Sequence, residues 1–183
     1  IFQHSINYDN DLPKYHTVNG TIDGLGFGVS ESDPHMWIDA VNGVFQALKE
    51  SDSGSEIIIN LKAVSVSGQQ HGLVTLAEDG ELSRPTSKLW NDFSTGEECE
   101  ILTAKIGGPE NMIEEVGNTQ RTGYTAPKIF HMVRNEPENW KKTATVFLVH
   151  NYINWYLTGG KEGGIVVMEP GDTSGTALWN PKT

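Results

Sequence analysis

The most informative part of this sequence is Ala63-Val64-Ser65-Val66-Ser67-Gly68-Gln69-Gln70-His71-Gly72-Leu73-Val74-Thr75-Leu76. Two apolar or alternating runs, residues 63–67 and 73–76, have the composition of β-strands. Between them, two amides and an imidazole stand between glycines, which let a backbone turn sharply or approach a ligand closely. Such groups can read the hydroxyls of a small polar ligand. A polar hairpin turn that faces water explains the same spacing, and the residues alone do not decide.

On the N-terminal side of this stretch, strand, loop and helix signals follow one another. The first residues alternate weakly, like a strand, and residues 9–30 are rich in Gly, Asp and Asn, which predicts a long loop or hairpin. Apolar side chains recur at helical spacing from Trp37 to Leu48, after the cap candidates Ser32 and Asp33, and predict an amphipathic helix. The run 57–59, three isoleucines, predicts another strand.

On the C-terminal side the mixture of helix and strand signals continues. Asp79-Gly80 predicts a tight turn. Helices are predicted over residues 95–106, 109–116 and 126–133, and a strand over 146–149 leads into residues 152–157. No repeat, Pro-rich linker or abrupt change of composition divides the chain. We therefore expect one layered α/β domain over residues 1–183.

Composition and charge exclude several classes of function. Thirteen Lys and Arg against 24 Asp and Glu give a formal charge of −11, which opposes nucleic acid and anionic membranes as partners. No apolar run approaches the roughly 18 residues of a membrane span, and the first residues lack the features of a signal peptide, so we expect a cytoplasmic protein. The single cysteine, Cys99, lies among glutamates, which predicts an inert thiol. The histidines show no metal-ligand spacing, so no metal site is predicted.

A second group of candidate residues is Leu89-Trp90-Asn91-Asp92. Trp90 offers an apolar plate for the CH face of a sugar, and the following amide and carboxylate offer hydrogen bonds. A core tryptophan followed by a helix cap explains the segment as well. The hydroxyl-rich residues 171–176 lack the lysine of a P-loop and favour a structural turn. No Gly-x-Ser-x-Gly elbow supports a hydrolase.

Residues 63–72 resemble the strand and sugar-binding turn of xylulose kinases in the FGGY carbohydrate kinase family. The resemblance continues in order through five further segments, residues 89–92, 123–129, 135–138, 152–159 and 172–176. Together these matches span about residues 60 to 180, and their order and spacing argue against a chance match.

The resemblance implies a ribonuclease H-like, actin-like ATPase fold and a two-domain kinase that uses Mg-ATP to phosphorylate an open-chain ketose. Relative to the family, the chain lacks the first strands, the C-terminal part of this domain and the ATP-binding domain. The catalytic aspartate is expected beyond Thr183. We therefore expect the sugar-binding part of a D-xylulose kinase, which makes D-xylulose 5-phosphate. The fragment alone is predicted to be inactive, with neither Mg nor ATP bound.

By the same resemblance, the substrate-binding residues are Gln70, His71, Trp90, Asp92 and Arg121. His71 is the foremost hydrogen-bond partner of a hydroxyl, Trp90 and Asp92 shape the pocket, and Gln120 competes with Arg121 for its role. Two alternatives stay open: another FGGY kinase, acting on ribulose, fuculose or glycerol, and a non-catalytic sugar-binding module. D-Xylulose is the expected partner. Self-association is also expected, because exposed strand edges and apolar surface tend to associate.

Overall fold

A computed structural model describes residues 1–180 and 182. In chain order its α-helices are α1 (Tyr8–Asp11), α2 (Pro34–Glu50), α3 (Gly54–Asn60), α4 (Gly96–Lys105), α5 (Pro109–Val116), α6 (Thr125–Asn135), α7 (Pro137–Lys142), α8 (Val149–Leu157) and α9 (Pro170–Ser174). The strands are β1 (Thr17–Val18), β2 (Thr21–Ile22), β3 (Glu31–Ser32), β4 (Val74–Leu76), β5 (Ser87–Lys88) and β6 (Thr145–Phe147). Short 3₁₀ turns cover Pro13–Tyr15 and Gly160–Glu162.

The strands pair antiparallel in three short ladders. β1 and β2 form a hairpin inside the predicted 9–30 region, and its turn residues Asn19 and Gly20 both have positive φ. β3 pairs with β5, and β4 pairs with β6. A single bridge between Leu73 and Lys88 connects the last two ladders. This connection brings the 68–72 turn, which precedes β4, close to the Trp90 segment, which follows β5.

The hydrophobic core lies between the strands and the helices α2 and α8. Its buried members are Met36, Trp37, Ile38, Val74, Leu76, Leu89, Phe147, Val149, Tyr152, Ile153 and Trp155. Full burial of each large apolar side chain contributes roughly 1.5–3 kcal/mol. Because α8 begins inside this core, its first residues are held in place and form a rigid surface for the segment that packs against them.

Most of the predicted helices are confirmed. The amphipathic helix spans Pro34–Glu50, and the Asp33 side chain caps it by accepting from the backbone N–H of His35. The helices predicted at 95–106, 109–116 and 126–133 are α4, α5 and α6. Cys99 lies in α4, where burial and the charge of Glu98 raise the pKa of its thiol, as expected for an inert cysteine. Within the described residues, no helix has the length and hydrophobicity to cross a membrane.

Three predicted strands are wrong. The first residues form no strand, and residues 57–59 belong to helix α3. Between residues 62 and 70 of the described chain no backbone hydrogen bond forms, so the predicted strand at 63–67 has no ladder. β-Branched residues favour strands only where a neighbouring strand offers pairing and cover. In α3, hydrogen bonds such as Ile57 N–H to Ser53 C=O satisfy the backbone locally.

Candidate functional site

The 68–72 turn rests directly on the first turn of α8. A Cβ on Gly68 would lie 2.7 Å from the Cβ of His150, and one on Gly72 would lie 2.6 Å from Cγ2 of Val149. Neither glycine has positive φ; the left-handed residue is His71, with φ 65°. The glycines therefore permit a close approach to α8, and the bend itself is at His71, a conformation that non-glycine residues seldom adopt.

We expect Gly68→Ala to lower the free energy of unfolding by about 1–3 kcal/mol, because the added methyl group would overlap the backbone of α8. Gly96→Ala is the matched control, since its Cβ would meet only Thr122 Cγ2, at 3.9 Å. Alanine there should be neutral or slightly stabilising. Urea denaturation measures both variants, and equal losses would contradict the close approach of the turn to α8.

Gln70 is held from the other end of the chain by Asp172. Its Nε2 donates to Asp172 Oδ1 at 2.8 Å. The other carboxylate oxygen of Asp172 lies 2.6 Å from His150 Nε2. Burial alone would raise the pKa of Asp172, but hydrogen bonds from His150 and Gln70 outweigh it and lower the pKa. The charged carboxylate thereby orients the amide of Gln70, whose oxygen has no hydrogen-bond partner among the described residues.

His71 stacks on Tyr124, the residue that precedes helix α6. The two ring centroids are 4.4 Å apart and the ring planes differ by 28°. Burial, and then the nearby charge of Lys128, lower the pKa of the His71 imidazole. At neutral pH the ring is therefore uncharged, with one N–H donor and one nitrogen acceptor. The ring also forms a hydrogen bond with the backbone of Gly175, and its Nδ1 is buried with no hydrogen-bond partner among the described residues.

Trp90 is not a core residue. It is 56% exposed and lines a cavity of about 400 Å³ together with Gln69, Asn91 and Asp9. The structure thus places Trp90 beside Gln69, in a cavity next to Gln70 and His71 rather than among them. The turn before α6 joins the two areas, because a Cβ on Gly123 would lie 2.4 Å from the carbonyl oxygen of Trp90.

Asp92 follows Trp90 by two residues and is not among the residues that line this cavity. Its side chain is fully buried, and one oxygen accepts from the backbone N–H of Ser30 at 2.9 Å. The other oxygen accepts from the N–H and hydroxyl of Ser94, at 3.1 and 2.6 Å. It does not cap α4, which begins at Gly96. With both oxygens bonded to protein groups, Asp92 links the segments that contain Ser30 and Ser94.

Gln120 and Arg121 differ in how the fold uses them. Gln120 is half-buried, and its Nε2 donates to the carbonyl of Ala177 at 3.1 Å. Arg121 is exposed, and its Nε makes a longer contact of 3.3 Å to the Thr119 hydroxyl. Of the two side chains, that of Arg121 is the one at the surface.

Residues 6–183 match the FGGY family of carbohydrate kinases, N-terminal domain. The chain belongs to this family. The xylulose kinase of Haemophilus influenzae is 36% identical over 157 residues, which are 84% of this chain and 30% of the relative. The xylulose kinase structure from Bifidobacterium adolescentis superposes with a TM-score of 0.69 at 27% identity, covering 82% of this chain and 33% of that one. A Plasmodium falciparum glycerol kinase structure shares the fold, with a TM-score of 0.72 at 18% identity, over 91% of this chain and 33% of that one.

These matches confirm the predicted fold class of the FGGY chain, the α/β, actin-like fold of the sugar kinases. The chain spans about a third of the length of the relatives it matches. Among residues 1–180 and 182, no group of three or more His, Cys, Asp and Glu side chains could hold a metal ion.

Local spacing missed three residues of the site, Tyr124, Lys128 and Asp172. The first two fall in the 123–129 segment and the third in the 172–176 segment, so the family resemblance marked their neighbourhoods without giving them a role. The sequence of residues 171–176 favours a structural turn. The structure instead forms helix α9 over Pro170–Ser174, and this helix carries Asp172 to Gln70.

Proposed function

We propose that this chain is the sugar-binding part of an ATP-dependent D-xylulose kinase, and that residues 1–183 belong to its N-terminal domain. The observation that carries the proposal is that two adjacent polar side chains are held in place by contacts with the protein. Asp172 orients the amide of Gln70, and Tyr124 stacks on the uncharged ring of His71. They stand on a turn that resembles the sugar-binding turn of xylulose kinases. The kinase names of the relatives support the same conclusion.

The chemistry of the site suits a polyhydroxylated, uncharged ligand. The Gln70 oxygen can accept from one hydroxyl, while the ring nitrogen of the neutral His71 that has no protein partner can form one further hydrogen bond. Trp90 offers an apolar face beside these groups, and Arg121 offers donors at the rim. In the whole kinase, bound Mg-ATP would supply the phosphoryl group. The part of this chain is to bind the ketose and to orient it. Location in the cytoplasm belongs to the same proposal.

Titration calorimetry of this chain with D-xylulose tests the proposal. We expect binding to the unaltered chain and at least a tenfold loss of affinity in His71→Ala, about 1.4 kcal/mol, because a hydrogen-bonding partner of a hydroxyl is removed. His4→Ala, at the exposed N-terminal end, is the control and should bind normally. ATP should give no binding heat. Equal affinity of His71→Ala and the unaltered chain would contradict the proposed site.

Two other functions fit parts of the structure. Another FGGY kinase, acting on ribulose, fuculose or glycerol, is favoured by the fold shared with a glycerol kinase. D-Ribulose and glycerol in the same titration would identify it by tighter binding. A non-catalytic sugar-binding module would bind sugar equally well, but the full-length protein would then show no ATP-dependent phosphorylation. The chain of 183 residues alone is expected to show none in either case.

We also propose that the isolated chain self-associates. An apolar cavity of about 480 Å³ lies between α2, α8 and residues 64–69. Val64, which lines this cavity, is 54% exposed, and Ile59 in helix α3 is 79% exposed. Unpaired backbone next to apolar surface tends to associate. Light scattering should show a mass above 20.1 kDa that rises with concentration. Val64→Lys should reduce this association, and a constant monomer mass would contradict it.

A further inference from the structure

Lys128 is a fully buried amine in the first turns of helix α6. Its side chain is 0% exposed, and its Nζ donates to the backbone carbonyl of His71 at 2.6 Å. A second, short hydrogen bond goes to the carbonyl of Gly123. No carboxylate among the described residues forms an ion pair with it, although Asp92 and Lys88 act on it through their charges. Lys128 therefore bonds to the backbone of two separate turns.

A buried amine without an ion-pair partner needs a reason, because burial of an unpaired charge costs several kcal/mol. Burial lowers the pKa of Lys128 to about 7, against the small opposing effect of Asp92. An uncharged amine still has two N–H donors, so both carbonyls stay paired in either protonation state. The two hydrogen bonds of Lys128 therefore do not depend on whether its amine is charged.

The two carbonyl groups that accept from Lys128 belong to the backbone next to the His71 ring and next to its stacking partner. One is that of His71 itself, which has the left-handed φ of 65°. The other belongs to Gly123, directly before Tyr124, whose ring stacks on His71. By bonding to both backbones, the amine fixes the separation of the two rings. It also fixes the direction in which the His71 carbonyl points, and with it the conformation of the bend.

We propose that Lys128 is a positioning residue for ligand binding: its amine holds His71 in its left-handed conformation and in register with Tyr124, so that the imidazole meets a sugar hydroxyl. Lys128 itself does not touch the ligand. This inference rests on the proposed sugar-binding function, but its first test does not.

The first test reads the His71 ring without any ligand. Stacking on Tyr124 gives the ring protons of His71 a ring-current shift and cross-relaxation with Tyr124 in NMR spectra. In Lys128→Met both signatures should be lost or strongly reduced. Lys161→Met is the control, because Lys161 is 46% exposed and forms its ion pair with Glu81 rather than with any residue of the 68–72 turn. Unchanged His71 signals in Lys128→Met would overturn the proposal.

A second test restores the amine chemically. Lys128→Cys in a Cys99→Ser background can be alkylated while unfolded, in one sample to an aminoethyl thioether and in the other to a propyl thioether of nearly equal size. The aminoethyl form should recover the His71 signals, and the propyl form should fold without them. A propyl form that fails to fold beside a folded aminoethyl form would show that the amine serves the fold, which would overturn the positioning role.

Sugar affinity is the third readout. We expect the propyl form to bind D-xylulose at least tenfold more weakly than the aminoethyl form, at similar thermal stability. Equal affinity of the two forms would overturn the proposal. If the unaltered chain binds no sugar, the proposed function fails, whereas the His71 signals still decide whether Lys128 positions that ring.

Discussion

Replacing Arg84 with alanine is expected to lower the free energy of unfolding by about 3 kcal/mol, because it leaves the buried Glu31 with Lys88 as its one remaining charged partner and removes the ion pair of the half-buried Glu136. Both terminal nitrogens of Arg84 donate to Glu31, at 2.8 and 2.9 Å, and its Nε donates to Glu136 at 2.9 Å. The Arg84 side chain is only 10% exposed. Glu31 faces Lys88 across the β3–β5 ladder, and Lys88 leads into the Trp90 segment. The network therefore also supports the wall of the candidate site.

The pKa of Glu31 reflects the whole network around this carboxylate, to which Thr86 and Lys88 contribute beside Arg84. Burial alone would raise this pKa, but hydrogen bonds and charge from Arg84 lower it from 4.5 to about 2. Since the folded pKa lies below the unfolded one, the stabilisation is complete above pH 4.5 and is lost as the pH falls toward 2. At about 1.4 kcal/mol per pH unit, this interval corresponds to roughly 3 kcal/mol.

Urea denaturation of Arg84→Ala at pH 7 and pH 3 measures both effects. The loss should be large at pH 7 and smaller at pH 3, because at pH 3 Glu31 is protonated in the unfolded chain and its low folded pKa stabilises the fold less. Lys141→Ala is the control, since its ion pair with Glu138 is 68% and 76% exposed and should contribute less than about 1 kcal/mol. A loss in Arg84→Ala as small as that of the control would show that the network does not stabilise the fold.

The stability of the chain should rise between pH 7 and pH 10.5 because of Lys128. Its pKa is about 7 in the folded chain and 10.5 when exposed. Between these values the unfolded chain binds one more proton than the folded chain, so raising the pH favours folding. The interval of 3.5 pH units corresponds to an upper limit of about 5 kcal/mol, at about 1.4 kcal/mol per pH unit.

The measurement compares the unaltered chain with Lys128→Met in urea at pH 7, 8 and 9. The difference in free energy of unfolding should shift in favour of the unaltered chain by about 1 kcal/mol or more per pH unit. Other groups that titrate in this range cancel in the comparison. A direct NMR titration of the Lys128 side-chain methylene next to the amine should give a midpoint near 7. A midpoint near 10 and a constant difference would mean that the amine is not desolvated.

The helices could be predicted from sequence because their signals are local. Apolar spacing and the Asp33 cap define α2 without reference to any other part of the chain. Strands depend on partners that are distant in sequence, and this is why the isoleucines at 57–59 and the run at 63–67 were assigned wrongly. Where no ladder is available to them, the isoleucines at 57–59 form a helix and the run at 63–67 forms neither a helix nor a strand.

The candidate site could be predicted only in part, for a similar reason. The polar residues of the 68–72 turn are visible in the sequence as a local cluster. The group that orients Gln70 lies 102 residues further along, in Asp172, and no local pattern connects the two. Lys128 is also hidden, because a lysine in a helix is ordinarily a solvated residue and its burial follows only from the fold. The left-handed φ at His71, rather than at a glycine, is equally a product of these contacts.

An NMR titration of the isotope-labelled chain with D-xylulose tests most directly whether the Gln70 and His71 turn is the ketose site. We expect saturable shift changes at residues 68–72 and in the adjoining segments 90–92 and 121–125, with the ring signals of His71 among the largest. Glycerol at the same concentration should cause smaller changes. Shifts confined to another surface, or none at millimolar D-xylulose, would contradict the assignment of this turn to sugar binding.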